Sequence, residues 1–178
     1  MSNKFLNSLE DLDSLNLSDF IKLSRRGIEK ENLRSNNSSI SLEPHPKVYG
    51  SSLTNSRITT DFSEALIELV TSPNRDLKSC LEELEDIVYF CLKSTEEDFW
   101  PASIPMSIED ESAIPIADYG NSNSGRLKKL YRVGLSQRYG SMMQTVSGIH
   151  YNFSFSDQLF ENWAKKDGET LREFKDKK

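Results

Sequence analysis

The chain has few cysteines, no excess of basic residues and no long apolar run, and each shortage argues against a class of protein. Its 178 residues include only two cysteines, Cys80 and Cys91. They lie 11 positions apart in a predicted helix, a rise of about 16 Å that a disulfide does not bridge. With no Cys-x-x-Cys pair, the sequence is typical of a reducing compartment, so we expect a cytoplasmic protein with both cysteines in its core.

Basic residues are outnumbered by acidic ones, and this bears on the possible partners. Lys and Arg total 22 against 28 Asp and Glu, a formal net charge of −6. General nucleic-acid binders normally carry a basic face, so we expect no nucleic-acid partner. The longest stretch without a formal charge, residues 139–156, is rich in Ser, Gln, Thr, Asn and Gly. Such a stretch does not span a bilayer and the N-terminus lacks an apolar signal core, so we expect no membrane partner.

The motifs of common nucleotide-binding and covalent enzymes are also missing. The sequence contains no Walker A loop, no Gly-x-Gly-x-x-Gly loop and no Gly-x-Ser-x-Gly elbow. It has no Cys, His and Asn at the spacing of a covalent hydrolase. We therefore assign no catalytic nucleophile.

The apolar pattern predicts a mixed α+β protein without internal repeats. Strands are predicted at residues 25–34 and 142–155, the second with one largely apolar face and one polar face. Residues 58–71 fit either a strand or a helix with a capping box at its start, and periodicity does not decide. Helices are predicted at two short segments before residue 24 and at 74–98, 122–139 and 156–165. The two long helices carry these apolar faces: Leu77, Leu81, Leu84, Val88, Cys91 and Leu92, and Leu127, Leu130, Tyr131, Gly134 and Leu135.

Glu29 and Glu31 form the first candidate site. Alternation along a strand places both carboxylates on one face, where they repel each other unless a cation lies nearby. A divalent metal is the usual solution, and oxygen-rich sites suit Mg²⁺ or Mn²⁺. A solvated strand face, with Lys30 and neighbouring arginines balancing the charge, explains the same pattern.

Glu68 follows three apolar residues and precedes two more, and Asp61 and Glu64 lie just before it in the sequence. If this segment is a buried strand, Glu68 faces a polar interior or has a partner. If the segment is a helix, Glu68 and Asp61 are about one heptad apart on nearly the same face, and both can be exposed.

His150 shares the polar face of its predicted strand with Gln144 and Asn152. A core histidine bonded to a neighbour is one interpretation, and a metal or phosphate contact is the other. In the second, Gly148 lets a ligand approach the backbone. Arg132, on the helix predicted before this strand, is either a clamp for a carboxylate or phosphate, or an ordinary surface residue.

Together, these segments resemble the N-terminal part of the proteobacterial glutamate–cysteine ligases (gamma-glutamylcysteine synthetases), which catalyse the first step of glutathione synthesis. The matching stretches are RRGIEKENLR (25–34), SSLTNSRITTDFSEALIELVT (51–71), FWPASIP (99–105) and YGNSNSGRLKKLYRVGLSQRYGSMMQTVSGIHYNFSF (119–155). The resemblance implies a curved antiparallel sheet with outer helices, like the catalytic domain of glutamine synthetase. It is incomplete here, because family members are considerably longer. It also implies three regions: a helical segment (1–24), part of the ligase catalytic domain (25–166) and a charged tail (167–178).

The resemblance implies an ATP-dependent ligase that joins the γ-carboxylate of L-glutamate to the amine of L-cysteine through γ-glutamyl phosphate. ATP is the co-substrate, and the cofactor is Mg²⁺ or Mn²⁺. It also implies a strand around Glu68 and a nucleotide or phosphate neighbour at Asn152. The implied metal ligands are Glu29, Glu31, Asp61, Glu68 and His150. The implied amino-acid pocket contains Phe62, Tyr131, Arg132 and Leu135, chiefly on the cysteine side, and Gln144 and Val146 beside glutamate.

Three functional hypotheses follow from this resemblance. In the first, the chain is a ligase fragment that carries part of the active site and is inactive alone, an interpretation that the charged residues 167–178 favour. In the second, it is a non-catalytic metal- or ligand-binding module of the same fold. In the third, it is part of a related carboxylate–amine ligase that uses another amine.

Overall fold

One long strand organises the sheet of this protein. The structure, a computed structural model, describes Glu10, Ser14 and residues 17–177. The strands of its sheet are β1 (Arg25–Asn36), β2 (Ser39–Ile40), β3 (Ile58–Thr60), β4 (Leu66–Val70), β5 (Asp98–Phe99) and β6 (Ile149–Ser154). Strand β1 pairs with β4, β6, β2 and β5, and β3 pairs with β4. Every pairing is antiparallel and the sheet is open.

Helices complete the α+β architecture that the sequence predicts. They are α1 (Leu17–Leu23), α2 (Leu77–Ser94), α3 (Asn123–Tyr139), α4 (Asp157–Lys166) and α5 (Leu171–Lys177). Helices α2, α3 and α4 each begin after a residue whose side chain accepts a hydrogen bond from a first-turn N–H; these residues are Asp76, Ser122 and Ser156. Such caps satisfy donors that the helix leaves unpaired and fix where it starts. In the described part of the chain, no helix is long and apolar enough to cross a membrane.

Two apolar clusters lie against the sheet. The first contains Ile67 and Leu69 of β4 packed with Leu84 and Cys91 of α2. Period-two alternation along β4 turns these two strand residues to the helix and leaves Glu68 on the opposite face. The second cluster contains Leu33, Phe62, Ala65, Leu66, Met106 and Ile114. Cys80 and Cys91 are both buried and free, which confirms the prediction that they belong to the core.

The ambiguous residues 58–71 form a strand, a tight turn and a second strand. The N–H of Asp61 donates to the carbonyl of Leu66 at 2.9 Å, and the N–H of Leu66 donates to Ser63 at 3.0 Å. These bonds close the turn between β3 and β4, so the helical alternative with its capping box is wrong. The strand that the resemblance implies around Glu68 is confirmed.

The strand predicted at residues 142–155 is much shorter in the structure. Met142–Thr145 form a 3-10 turn, in which the Thr145 hydroxyl donates to the Met142 carbonyl at 2.7 Å. The N–H of Met142 donates to a carboxylate oxygen of Glu111 at 2.8 Å. The first of these bonds is local and the second comes from a distant loop; both compete with strand pairing, and β6 begins only at Ile149. Gln144 and Val146 therefore do not share a strand face with His150.

Several predicted apolar faces are not buried among the described residues. In α2, Leu84 and Cys91 are buried, whereas Leu77, Leu81 and Leu92 are exposed. In α3, Leu127 and Leu130 are exposed, and only Gly125 is buried. All six residues of β6 are exposed as well.

The ends of the chain differ in how far the structure tests them. The first of the two short helices predicted before residue 24 lies outside the described residues, apart from Glu10 and Ser14, and α1 corresponds to the second. The predicted charged tail, 167–178, contains helix α5, whose Phe174 is buried. Residues 171–177 are thus helical, and their charge alone does not favour the fragment hypothesis. The division into three regions stays a prediction.

Candidate functional site

An acidic face lies on the side of the sheet opposite α2. It consists of Glu29 and Glu31 on β1, Glu68 on β4, Asp61 after β3 and His150 on β6. Glu31 is directly opposite Glu68, and Glu29 is directly opposite His150. Residue 59 of β3 also pairs with Glu68, and Asp61, two positions on, lies on the same face. Strand pairing thus brings together four carboxylates and an imidazole from separate parts of the sequence.

Glu29 and Glu31 are oriented by neighbours on the β6 side. A carboxylate oxygen of Glu29 accepts a hydrogen bond from the side-chain amide of Asn152 at 2.9 Å. Glu31 accepts a bond from the N–H of Gly148 at 2.7 Å, and its other oxygen lies 3.5 Å from Nε2 of His150. A Cβ atom at residue 148 would lie 3.2 Å from that imidazole nitrogen and 3.4 Å from the Glu31 carboxylate. A side chain at residue 148 would therefore crowd the imidazole of His150 more than the carboxylate of Glu31.

The electrostatic result of this crowding is clearest at Glu68. Burial raises the pKa of Glu68 to about 7, and the charges of Asp61, Glu29 and Glu31 add to the increase. Arg132 opposes the shift. Burial is thus the largest cause of this raised pKa, and the neighbouring carboxylates add to it because Arg132 opposes their effect only in part.

Arg132 approaches the acidic face from helix α3. Its Nε atom donates to the backbone carbonyl of Asp61, and its Nη2 atom lies 3.9 Å from the Asp61 carboxylate. The guanidinium carbon lies 4.7 Å from the centre of the Tyr119 ring. Burial raises the pKa of Tyr119, so its hydroxyl stays protonated and donates. Sequence reasoning selected Arg132 and missed Tyr119, since a single tyrosine in a loop carries no recognisable signal.

The other predicted pocket residues are only partly brought together. Phe62 is buried in the second apolar cluster, and Leu135 packs against that cluster. Tyr131 is exposed on α3, next to Arg132 in sequence. Gln144 lies in the 3-10 turn that precedes β6, and Val146 is exposed after it.

A cavity of about 430 Å³ adjoins the acidic face at the start of β1. Glu29 and Asn152 line it together with the guanidinium side chains of Arg25 and Arg57. Arg57 also forms an ion pair with Glu83, whose carboxylate lies 3.5 Å away. The two arginines were not singled out from the sequence, because arginines on their own are most often surface residues.

The acidic face has the ligand chemistry of a hard-metal site without its full geometry. Carboxylate oxygens with one imidazole suit Mg²⁺ or Mn²⁺. Within residues 17–177 and the two isolated positions before them, no three His, Cys, Asp or Glu side chains converge closely enough to hold a metal ion. Glu29 and Glu31 each use an oxygen for an internal hydrogen bond, so a metal would have to compete with Asn152 and Gly148.

Comparisons with known proteins agree with one another on the family. The family model described as glutamate-cysteine ligase matches residues 9–178. A curated relative from Shewanella amazonensis, named glutamate–cysteine ligase, is 46% identical over 149 residues, which are 83% of this chain and 28% of the relative. One of the same name from Aliivibrio fischeri is 42% identical over 171 residues, 95% of this chain and 32% of the relative.

Solved structures give the same result. A glutamate–cysteine ligase from Francisella tularensis, in complex with AMP, superposes with a TM-score of 0.79 at 42% identity, over 83% of this chain and 30% of its own. A bifunctional glutathione synthetase from Pasteurella multocida superposes with a TM-score of 0.73 at 31% identity, over 90% of this chain and 20% of its own.

An open antiparallel sheet with helices and an acidic face defines the class of fold, and these matches define the family. The chain belongs to the glutamate–cysteine ligase family. It spans about 28% to 32% of the length of the two curated relatives above.

Proposed function

We propose that this chain supplies part of the active site of a glutamate–cysteine ligase. The reaction joins the γ-carboxylate of L-glutamate to the amine of L-cysteine at the expense of ATP. The observation that carries the proposal is the acidic face, on which Glu31 of β1 lies opposite Glu68 of β4, in a chain of this family. Since family members are about three times longer, we propose that the rest of the site lies in residues outside this chain.

The chemistry explains why no protein nucleophile is needed. A free carboxylate is a poor acyl donor, so ATP first phosphorylates the γ-carboxylate of glutamate. The amine of cysteine then attacks the acyl carbon, and phosphate leaves as the amide bond forms. The protein has to hold three substrates in line and balance the charge on the transferred phosphoryl group.

We assign the metal-binding role to Glu29, Glu31, Asp61, Glu68 and His150. Their oxygen and imidazole donors suit Mg²⁺ or Mn²⁺, which supplies the positive charge that phosphoryl transfer needs. The charges of Asp61, Glu29 and Glu31, which add to the effect of burial on the pKa of Glu68, support the assignment, because a bound cation would neutralise them. Further ligands from the rest of the enzyme would complete the coordination.

We assign the substrate-binding roles along the two sides of the acidic face. On the α3 side, Arg132 can pair with a substrate carboxylate. The rest of the amino-acid pocket is assigned by resemblance to Phe62, Tyr131 and Leu135 toward cysteine and Gln144 and Val146 toward glutamate. On the other side, Asn152 lines the cavity that also contains Arg25 and Arg57, which suits the phosphates of a nucleotide. We place the enzyme in the cytoplasm, which suits its two free cysteines.

The test is a chimera, in which the aligned 171 residues of this chain replace the matching stretch of the Aliivibrio fischeri relative. We expect the chimera to release ADP and form γ-glutamylcysteine only when glutamate, cysteine and Mg²⁺ are all present. Glu29→Gln and Glu31→Gln should each lower kcat at least a hundredfold, since both change a proposed metal ligand without changing its size. The matched control is Glu85→Gln on α2, where the side chain is exposed and distant from the acidic face.

The outcomes separate the hypotheses. A folded chimera that releases no ADP would refute the proposal and favour a non-catalytic module. A chimera that uses another amine and not cysteine would favour a related carboxylate–amine ligase. The 178-residue chain alone should give no ADP release that depends on cysteine, and robust release would refute the proposal that the rest of the site lies elsewhere.

A further inference from the structure

Tyr119 is a buried side chain that none of the assigned roles uses. It lies in the loop that leads into α3 and is 5% exposed. Its hydroxyl donates to the carbonyl oxygen of Thr60 at 2.6 Å and lies 3.0 Å from the carbonyl oxygen of Asp61. Tyr119 thus connects this loop to the end of β3, where one of the proposed metal ligands is placed.

The ring of the same tyrosine contacts two cations of α3. The guanidinium carbon of Arg132 lies 4.7 Å from the ring centre, and the ammonium nitrogen of Lys128 lies 4.9 Å from it. Cations at this distance from an aromatic face are attracted by its quadrupole. Arg132 also donates from Nε to the Asp61 carbonyl. The hydroxyl of Tyr119 therefore lies against the backbone of Thr60 and Asp61, while its ring lies against the guanidinium that bonds the same Asp61 carbonyl.

Tyr119 is itself held firmly by its neighbours. The preceding residue, Asp118, donates its N–H to the buried carboxylate of Glu64 at 2.6 Å, and Ala117 donates its N–H to the Phe62 carbonyl at 3.0 Å. On the other side, a Cβ atom on Gly125 would lie 2.5 Å from the Tyr119 carbonyl oxygen. The glycine therefore lets the first turn of α3 pack directly against this residue.

We propose that Tyr119 is a positioning residue that holds Asp61 and Arg132 at the acidic face. Its hydroxyl fixes the backbone at the end of β3, and its ring fixes the guanidinium of Arg132 above that backbone. The consequence for substrate binding rests on the proposed function: Tyr119 sets the affinity for the amino acid that Arg132 contacts, without touching it.

The first experiment uses the 178-residue chain and does not depend on any activity. We would follow the Nε–H signal of Arg132 by ¹⁵N NMR, assigning it from its loss in Arg132→Lys. Tyr119→Phe removes only the hydroxyl, and Tyr119→Leu also removes the aromatic face. We expect hydrogen exchange of that Nε–H to accelerate about fivefold in Tyr119→Phe. The reason is that this variant loses the neutral hydrogen bond from the Tyr119 hydroxyl to Thr60, which fixes the ring beside Arg132. The increase should be larger in Tyr119→Leu.

The matched control is Tyr139→Phe, at an exposed tyrosine that ends α3. It should leave the Arg132 signal and its exchange unchanged. Unchanged exchange in Tyr119→Phe, with the fold intact by circular dichroism, would overturn the proposal. If Tyr119→Leu fails to fold, Tyr119→Phe still decides.

The second experiment measures the chimera described above. In Tyr119→Phe, KM for cysteine should rise about fivefold, whereas KM for ATP should change less than twofold. A merely structural residue would lower the active fraction and leave both KM values as they were, and that result would overturn the positioning role. If the unsubstituted chimera is inactive, the proposed function fails, and the exchange measurement still decides the role of Tyr119.

Discussion

The burial of Glu68 beside other carboxylates leads to a pH-dependent stability that can be measured in this chain. The pKa of Glu68 is about 7 in the folded protein, against an ordinary value of 4.5, chiefly because of burial. Between these two pH values the folded state keeps a proton that the unfolded state has lost. The contribution of Glu68 to the free energy of unfolding is therefore greatest below pH 4.5. It declines as pH rises and is lowest above pH 7.

The size of this decline follows from the shift. A change from 4.5 to about 7 corresponds to about 3 kcal/mol at 1.36 kcal/mol per pKa unit. Glu68 is only partly buried, and solvent screening reduces the value to about 1–2 kcal/mol. Glu68→Gln has nearly the same shape and no charge, so it should remove this contribution while leaving the strand pairing intact.

The assay is urea unfolding followed by circular dichroism, at pH 5 and pH 8 and at constant ionic strength. The measured quantity is the free energy of unfolding of Glu68→Gln minus that of the unsubstituted chain. We expect this difference to rise by about 1–2 kcal/mol from pH 5 to pH 8. Titrating groups that do not interact with Glu68 are present in both proteins and cancel in the difference. The exposed Glu85→Gln should show no such gain. If the difference in unfolding free energy between Glu68→Gln and the unsubstituted chain does not change with pH, the raised pKa inferred from the burial and charged neighbours of Glu68 is wrong.

Three further predictions concern the rest of the fold. Burial lowers the pKa of His45 to about 4 from 6.5. The free energy of unfolding should therefore fall as pH drops from 6.5 to about 4, because the unfolded state binds a proton that the folded state does not. In the same urea assay, His45→Phe should remove about 1–2 kcal/mol of this fall. Cys80 and Cys91 are buried, and burial raises the pKa of the Cys91 thiol to about 12. Ellman's reagent should therefore label neither cysteine at pH 8 until urea unfolds the chain. Stoichiometric labelling of the folded chain would contradict their burial. Leu69→Ala should lower the free energy of unfolding by about 2–5 kcal/mol in urea, because Leu69 is fully buried. The control Leu77→Ala, at an exposed position, should lower it by less than about 1 kcal/mol. Equal losses would refute the packing of α2 against β4.

Local patterns predicted those parts of the structure that local forces determine. Glu29 and Glu31 lie on one face because side chains alternate along any strand. Helix α4 begins after Ser156, as its cap indicates. Local patterns do not decide between strand and helix in residues 58–71, because the sequence fits both the helical and the strand period. The pairing of β4 with β1 selects the strand.

Contacts between distant parts of the sequence explain what local patterns missed. Met142 is held in a turn by Glu111, and no periodicity within 142–155 carries that information. Tyr119 matters because it meets Thr60 and Asp61, which precede it by about 60 positions. The apolar pattern of α3 indicates burial, yet Leu127 and Leu130 are exposed among the described residues. Such a pattern reports only that a face is apolar and does not identify what covers it.

The proton on Glu68 and the proposed metal compete for the same negative charge. Near neutral pH, that proton and the Arg132 guanidinium both reduce the charge around Asp61, Glu29 and Glu31. A divalent cation that binds this face must displace the proton, because a carboxylate binds metal in its ionised form. Below about pH 7 the apparent affinity should therefore fall roughly tenfold per pH unit for the one proton displaced. The Arg132 guanidinium would repel a cation bound at the proposed site, so the position at which Tyr119 is proposed to hold Arg132 would set how closely that cation approaches Asp61.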